Sequence, residues 1–144
     1  MNQNDLNWYE GIGFPKPVIL SANEKLHLVK RYYGMDFDIL FISNTKDGNQ
    51  EDYLSLWLLN DEYVVECKNF LNQQDIDIAR YKGNVTYINI RFGSLDDIDY
   101  PVADSSMNLI ISLGENICRF SAVGKNCTKL DFIAKTFIKD YTKR

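Results

Sequence analysis

Apolar residues near the carboxyl end of the chain recur at the spacing of an amphipathic helix. Thr128 is a suitable N-cap, and Asp131 stands at the third position after it. The apolar stripe that follows consists of Leu130, Ile133, Ala134, Phe137, Ile138 and Tyr141. Because these positions share one face of a helix, the pattern predicts a C-terminal helix that packs on a sheet.

A second helix is predicted over Ala22–Tyr33. The segment Ser21–Glu24 has the pattern of a capping box, and Gly34 is a stop signal. Apolar residues recur at helical spacing at Ala22, Leu26, Val29 and Tyr33. Residues 1–20 are predicted to form an irregular lead-in, because glycine and proline interrupt any regular pattern there. These interruptions are Gly11, Gly13, Pro15 and Pro17.

Alternating apolar residues predict strands through the middle of the chain. The first strand is predicted over Asp36–Ser43. In the next two strands, one apolar face is formed by Leu54, Leu56 and Leu58, and by Tyr63, Val65 and Cys67. If Asn60-Asp61 is a two-residue turn, the two strands form a hairpin with an apolar face in register. The predicted opposite pairs are Leu58 with Tyr63, Leu56 with Val65, and Leu54 with Cys67.

The segment after this hairpin has two interpretations. Asn72 can cap a short helix that Gly83 ends. The residues that this helix would carry are Ile76, Ala79 and Arg80. The alternation in Ile76-Asp77-Ile78 also fits a strand. We predict the helix and keep the strand as the alternative.

Three more strands complete the predicted fold. One covers Val85–Phe92, and Met107–Leu113 and Ile117–Val123 form a hairpin about Gly114-Glu115-Asn116. The predicted element order is α-βββ-α-βββ-α, with short links that favour antiparallel neighbours. The sequence therefore predicts a single α+β domain over residues 1–144, with about six strands in a mostly antiparallel arrangement.

Charge and cysteine content narrow the class of protein. The 144 residues carry a net charge of -4, with a sequence pI of about 4.9, so a nucleic-acid backbone would be repelled. Three cysteines without a C-x-x-C pair, Cys67, Cys118 and Cys127, fit reduced and mostly buried thiols. The amino end lacks the features of a secretory signal, and no apolar run reaches membrane-spanning length. We expect a cytoplasmic protein that does not associate with membranes.

No set of residues in the sequence predicts catalysis. His27 is the only histidine, so a His-rich metal site is excluded and a Cys-His pair has little support. Gly11-x-Gly13 does not open a helix and is interpreted as a turn rather than a phosphate loop. We expect no enzyme activity, no metal and no cofactor. An acid-dependent hydrolase with paired carboxylates stays open, because acidic residues are plentiful.

One loop mixes acidic and apolar residues in a way that a solvated connection does not need. Between Gly93 and Ser106 the chain carries four acidic residues and no basic residue. The candidate partner-binding residues are Leu95, Asp96, Asp97, Ile98, Asp99, Tyr100 and Asp104. Acidic side chains beside an aromatic one can steer and then anchor a basic partner protein. The alternative is a connecting loop whose apolar residues fold back on the core.

A second acidic loop contains the secondary partner-binding candidates Asp47, Glu51 and Asp52. Its spacing does not match an EF-hand, which needs ligands at alternate positions and a glycine at the sixth. A solvated hairpin tip is the simpler interpretation of this loop.

In size, acidity and element order the chain resembles the small immunity proteins of bacterial contact-dependent growth inhibition and related polymorphic toxin systems. The βββα, βββα order over about Asp36–Tyr141 is similar to the Whirly-like immunity architecture. The resemblance implies a monomer that binds the C-terminal domain of a cognate toxin, often a nuclease, in a one-to-one complex. Under it, the loop acids would cover a basic active-site groove and Tyr100, with Leu95 or Ile98, would anchor the complex.

Class I type III secretion chaperones are the alternative class of binding protein. They are also small, acidic and mixed α/β, but they are usually dimeric and wrap an extended effector segment. They normally begin with a strong amphipathic helix, whereas irregular structure is predicted here before Pro17.

Overall fold

The structure is a computed structural model that describes residues 2–48, 50–72 and 75–142. Its helices are α1 (Asn2–Gly11), α2 (Lys16–Tyr33) and α3 (Asn126–Thr142). Its strands are β1 (Ile39–Asp47), β2 (Gln50–Leu59), β3 (Val64–Lys68), β4 (Asp77–Tyr81), β5 (Val85–Gly93), β6 (Ser106–Leu113) and β7 (Asn116–Val123). The predicted α+β class is confirmed, with two antiparallel sheets ordered β1-β2-β3-β4 and β5-β6-β7. The described strands number seven rather than six.

The chain divides into two compact units. Unit 1 comprises Met1–Ile42 and Tyr53–Tyr81, and unit 2 comprises Ser43–Asp52 and Lys82–Arg144. Both units are therefore discontinuous in sequence. The far end of the β1–β2 hairpin belongs to unit 2, although the hairpin starts and finishes in unit 1.

The irregular lead-in predicted for residues 1–20 is wrong, because helix α1 and the start of α2 fill most of it. Leu6 and Tyr9 bury one face of α1, and a turn at Gly13, with φ 98°, leads into α2. Pro17 lies in the first turn of α2, where a missing N–H removes no helical hydrogen bond. The predicted end of α2 is confirmed, since Gly34 adopts φ 60° and donates its N–H to Lys30 O at 2.8 Å.

The predicted helix between Asn72 and Gly83 is also wrong, and the alternative strand is correct. Strand β4 pairs antiparallel with β3, so that Arg80 lies opposite Val65 and Ile78 lies opposite Cys67. Pairing with an available strand edge outweighs a weak helix signal, because local propensity is a small term. The described element order therefore lacks the middle helix of the βββα, βββα pattern.

The β2–β3 hairpin is confirmed, but its predicted register is wrong by two residues. Leu58 pairs with Val65, and Leu56 pairs with Cys67. The turn is longer than two residues because Asn60 Oδ1 accepts the N–H groups of Glu62 at 2.9 Å and Tyr63 at 2.8 Å. A register shift of two residues leaves every side chain on the same face of the sheet, so the predicted apolar face of the hairpin is still formed.

Unit 2 packs helix α3 on one face of its three-stranded sheet, as predicted. The pairs Leu109↔Phe120 and Ile111↔Cys118 place apolar residues of β6 and β7 on that face. Buried residues of α3 cover it at Leu130, Ile133, Ala134 and Phe137. The helix begins at Asn126, so Thr128 lies inside its first turn and the predicted N-cap is wrong. The predicted stripe residue Ile138 is partly exposed, and the side chain of Tyr141 lies outside the described residues.

Side chains from β1 cover the outer edge of β7. Ser43 Oγ accepts the N–H of Ser121 at 3.3 Å, and Asn44 Oδ1 accepts the N–H of Val123 at 3.0 Å. The same Asn44 oxygen accepts Asn126 Nδ2 at 2.8 Å, and Asn44 Nδ2 donates to Glu51. Asn44 is fully buried, so these bonds hold this part of β1 against the edge of β7.

Candidate partner-binding surface

The loop between β5 and β6 is ordered around one buried serine. Ser105 Oγ accepts the N–H of Val102 and donates to Ser94 O, both at 3.0 Å. The backbone oxygen of Ser105 accepts the N–H of Gly124 at 2.8 Å. Because the buried Ser105 hydroxyl links the two ends of the loop, it restricts the positions of the acidic residues between them.

The acidic candidates of this loop are all exposed, as is the aromatic candidate. They are Asp96, Asp97, Asp99 and Asp104, together with Tyr100, which is 80% exposed. Leu95 and Ile98 are half-buried, which matches the alternative interpretation in which apolar residues fold back. Asp97 Oδ1 accepts the N–H of Asp99 at 3.0 Å, so this carboxylate also shapes the turn.

The loop is attached to the first turns of α3. Thr128 Oγ1 donates to Ile98 O at 2.7 Å. The Lys135 pKa is raised, mainly by the hydrogen bond and charge of Asp131 and further by the charge of Asp99. Asp99 therefore lies within electrostatic reach of this part of the helix. Phe132 follows Thr128 by one helical turn and is 62% exposed.

The structure brings the second acidic loop to the first. Lys46 Nζ lies 3.8 Å from Asp104 Oδ1, and both residues belong to unit 2. An exposed pair at this distance adds little stability, but it shows that the two loops are adjacent. We call the combined set the acidic surface; its exposed carboxylates are Asp47, Glu51, Asp52, Asp96, Asp97, Asp99 and Asp104.

Sequence analysis missed three residues of this surface. Lys46 directly precedes the second acidic loop, and its contact with Asp104 has no local signal in the sequence. Val102 is 62% exposed and was left outside the candidate set. Phe132 could have been found, because it falls outside the apolar stripe of α3 and a helical wheel places it on the solvent side.

The groups that nucleophilic chemistry would need are poorly suited to it. Burial raises the pKa of Cys67 to about 12 and that of Cys127 to about 11, so both are protonated thiols near neutral pH. All three cysteines are buried and free, as predicted, and His27 is exposed. Among the described residues, no group of three or more His, Cys, Asp or Glu is arranged to hold a metal ion.

No protein-family model, no curated protein and no solved structure matches the chain. Within the described residues, no helix has both the length and the apolar character required to cross a membrane. A function for this protein has to be argued from its own residues.

Proposed function

We propose that this protein is an immunity protein that binds the C-terminal domain of a cognate bacterial toxin, with a nuclease as the expected target. The observation that carries the proposal is the Lys46–Asp104 contact, which places the two acidic loops in one surface of unit 2. Under the proposal the protein acts in the cytoplasm as a monomer, binds one toxin domain and needs no cofactor.

The acidic surface suits a partner whose active-site groove is built to bind phosphates. Carboxylates take the place of the phosphate groups and attract the groove over a distance, which raises the association rate. Tyr100 and Val102 then supply apolar area that a solvated connection would not expose, and desolvated aromatic residues hold complexes together. The hydrogen bonds of Ser105 reduce the ordering that binding requires.

The charge of the loop is tested with the triple variant Asp96→Asn, Asp97→Asn and Asp99→Asn. Asparagine keeps the side-chain oxygen that accepts the Asp99 N–H, so the loop turn is preserved. We expect association with the cognate toxin domain to slow by about tenfold at low salt and to lose most of its salt dependence. Stopped-flow mixing at several salt concentrations measures both quantities.

A matched control carries the same charge change in unit 1. Asp38, Asp61 and Asp75 are exposed there, and replacing them with asparagine alters the net charge equally. We expect this control to change the association rate less than the loop variant does. Equal effects of the two triple variants would mean that net charge, and not the acidic surface, governs binding.

The anchor is tested separately with Tyr100→Ala. Because Tyr100 is 80% exposed, its loss leaves the fold intact. A buried aromatic hot spot contributes about 2 kcal/mol or more, so we expect dissociation to be roughly 30-fold faster with little change in association. Surface plasmon resonance separates the two rates, and an unchanged dissociation rate would exclude Tyr100 as the anchor.

The chaperone alternative gains one observation from the structure. The sequence argument against it was an irregular amino end, whereas α1 and α2 occupy that region and bury Leu6, Tyr9 and Val18. The two classes differ in stoichiometry. A stable dimer that binds an extended effector segment would favour the chaperone, and a monomer that forms a one-to-one complex with a folded domain would favour the immunity protein.

A further inference from the structure

Arg80 in unit 1 is held between two tyrosine rings. Its guanidinium carbon lies 4.7 Å from the ring centre of Tyr63 and 5.3 Å from that of Tyr33. These distances are within the range of cation–π contacts, in which an arginine stacks its flat face on an aromatic ring. The three residues come from the end of α2, the turn before β3 and the middle of β4.

Arg80 has no anionic partner within the described part of the chain. The side chain forms no salt bridge and no hydrogen bond to another described residue, although the protein has 20 acidic residues and 16 basic ones. Arg80 is exposed, whereas Tyr33 and Tyr63 are half-buried. A cation–π contact engages the face of the guanidinium and leaves the N–H donors along its edge available.

The parts that hold Arg80 are themselves fixed. The N–H of Tyr63 donates to Asn60 Oδ1 at 2.8 Å, and Gly34 ends α2 directly after Tyr33. Strand β4 sets the position of Arg80 through its pairing with Val65. A side chain ordered in this way loses less conformational entropy when it binds a ligand.

We propose that Arg80, flanked by Tyr33 and Tyr63, is a binding site for a carboxylate side chain of a partner protein. The edge of a guanidinium matches the two oxygens of a carboxylate in a bidentate pair. Arginine and tyrosine are also the residue types that dominate the energetics of protein–protein interfaces. A phosphate group is less well matched, because the overall charge of -4 opposes a doubly charged ligand. Its three residues belong to unit 1, whereas the acidic surface belongs to unit 2.

The site is tested by NMR of the arginine Nε–H groups in the full-length protein at neutral pH. Sodium acetate is the probe for a carboxylate, sodium phosphate is the competing oxyanion, and sodium chloride controls for ionic strength. We expect acetate to give a saturable shift at Arg80, while the exposed Arg91 and Arg119 change only linearly. Chloride should give no saturable change at Arg80.

Two variants separate binding from a merely structural contact. Tyr63→Leu keeps apolar packing but removes the ring, so the acetate response of Arg80 should weaken while the backbone spectrum away from the site is retained. Arg80→Lys keeps the positive charge but removes the planar guanidinium that can bind both carboxylate oxygens. Addition of acetate should then cause no saturable shift at neighbouring backbone amides. An Arg80 response no different from that of Arg91 would overturn the proposal. Saturation by phosphate at lower concentration than acetate would also overturn it, in favour of a phosphate site.

Discussion

At the scale of single residues, the most consequential polar atom in unit 1 is the hydroxyl of Tyr9. Tyr9 is fully buried and packs against the rings of Trp8 and Phe14 at 5.1 and 4.7 Å. Its hydroxyl oxygen accepts the N–H of Ile42 in β1 at 2.9 Å. Nearby in the same strand, Asp5 Oδ2 accepts the N–H of Leu40. Burial raises the pKa of Tyr9 well above its usual value, so the hydroxyl stays neutral.

Tyr9→Phe tests the importance of this bond. The variant keeps the ring but leaves a buried N–H of Ile42 without its acceptor, which costs about 1–3 kcal/mol in the free energy of unfolding. Urea denaturation of the full chain measures this quantity. Tyr32→Phe, at a position that is 75% exposed, is the control and should change it by no more than about 0.5 kcal/mol. Equal effects of the two variants would contradict the assignment.

At the scale of elements, the hydrogen bonds at the outer edge of β7 determine toward which side of the sheet each backbone N–H of β5 points. Ser121 and Val123 direct their N–H groups away from β6, toward Ser43 and Asn44. In antiparallel strands this direction alternates from one residue to the next and is shared by hydrogen-bonded partners. Carrying the alternation through the registers Leu109↔Phe120 and Asn89↔Ile110 gives the direction of every amide in β5 after its irregularity near Val85.

Amide hydrogen exchange along β5 should therefore alternate. Asn89 and Arg91 direct their N–H groups to β6 and should exchange slowly. Ile88, Ile90 and Phe92 direct theirs to the outer edge, which no other described strand pairs, and should exchange fast. Residue-resolved NMR after transfer to deuterated buffer measures the rates. Uniform protection along β5 would show that another strand covers this edge in solution.

The sequence predicts elements well where the deciding interactions are close along the chain. Strands β5, β6 and β7 and helix α3 have strong periodic patterns, and their positions are confirmed apart from the start of α3. The errors fall where a distant partner decides. The segment that became β4 depends on the free edge of β3, and the hairpin register depends on one side chain, Asn60, which lengthens the turn. The start of α2 was missed because Pro17 was counted as a helix breaker rather than a first-turn residue.

The candidate site could be predicted only in part, for a related reason. The acidic loop after β5 is visible in the sequence as a local mixture of charge and apolar residues. Its connection to the second acidic loop is not, because Lys46 and Asp104 meet through the placement of residues 43–52 beside β7. That placement depends on Asn44, whose role in the interior no local pattern indicates.

At the scale of the whole molecule, the segment Ser43–Asp52 interrupts unit 1 and belongs to unit 2, so neither unit is a continuous piece of chain. A fragment of residues 82–144 would contain β5, β6, β7 and α3 but not Ser43 or Asn44. The N–H groups of Ser121 and Val123 and the amide of Asn126 would then lose their acceptors. In the fragment these donors would bind water instead, so each lost intramolecular hydrogen bond costs about 0.5–1.5 kcal/mol. The loss of all three is a large part of the stability of a small unit.

We expect the fragment 82–144 to show no cooperative thermal transition by circular dichroism. The longer fragment 43–144 restores the missing acceptors and should regain a transition, which makes it the matched control. A sharp transition in the shorter fragment would mean that unit 2 does not depend on residues 43–52. Failure of both fragments would place the requirement in unit 1 instead.

The position of Asn44 also bears on how fast the protein can fold. The hydrogen bond from Val123 to Asn44 spans 79 residues of sequence, and that from Asn126 spans 82. Closing a loop of this length costs about 4 kcal/mol of chain entropy before the contact stabilises anything. Contacts so distant in sequence slow folding. During synthesis, Asn44 is made 82 residues before Asn126, so this part of unit 2 cannot form until Asn126 has been made.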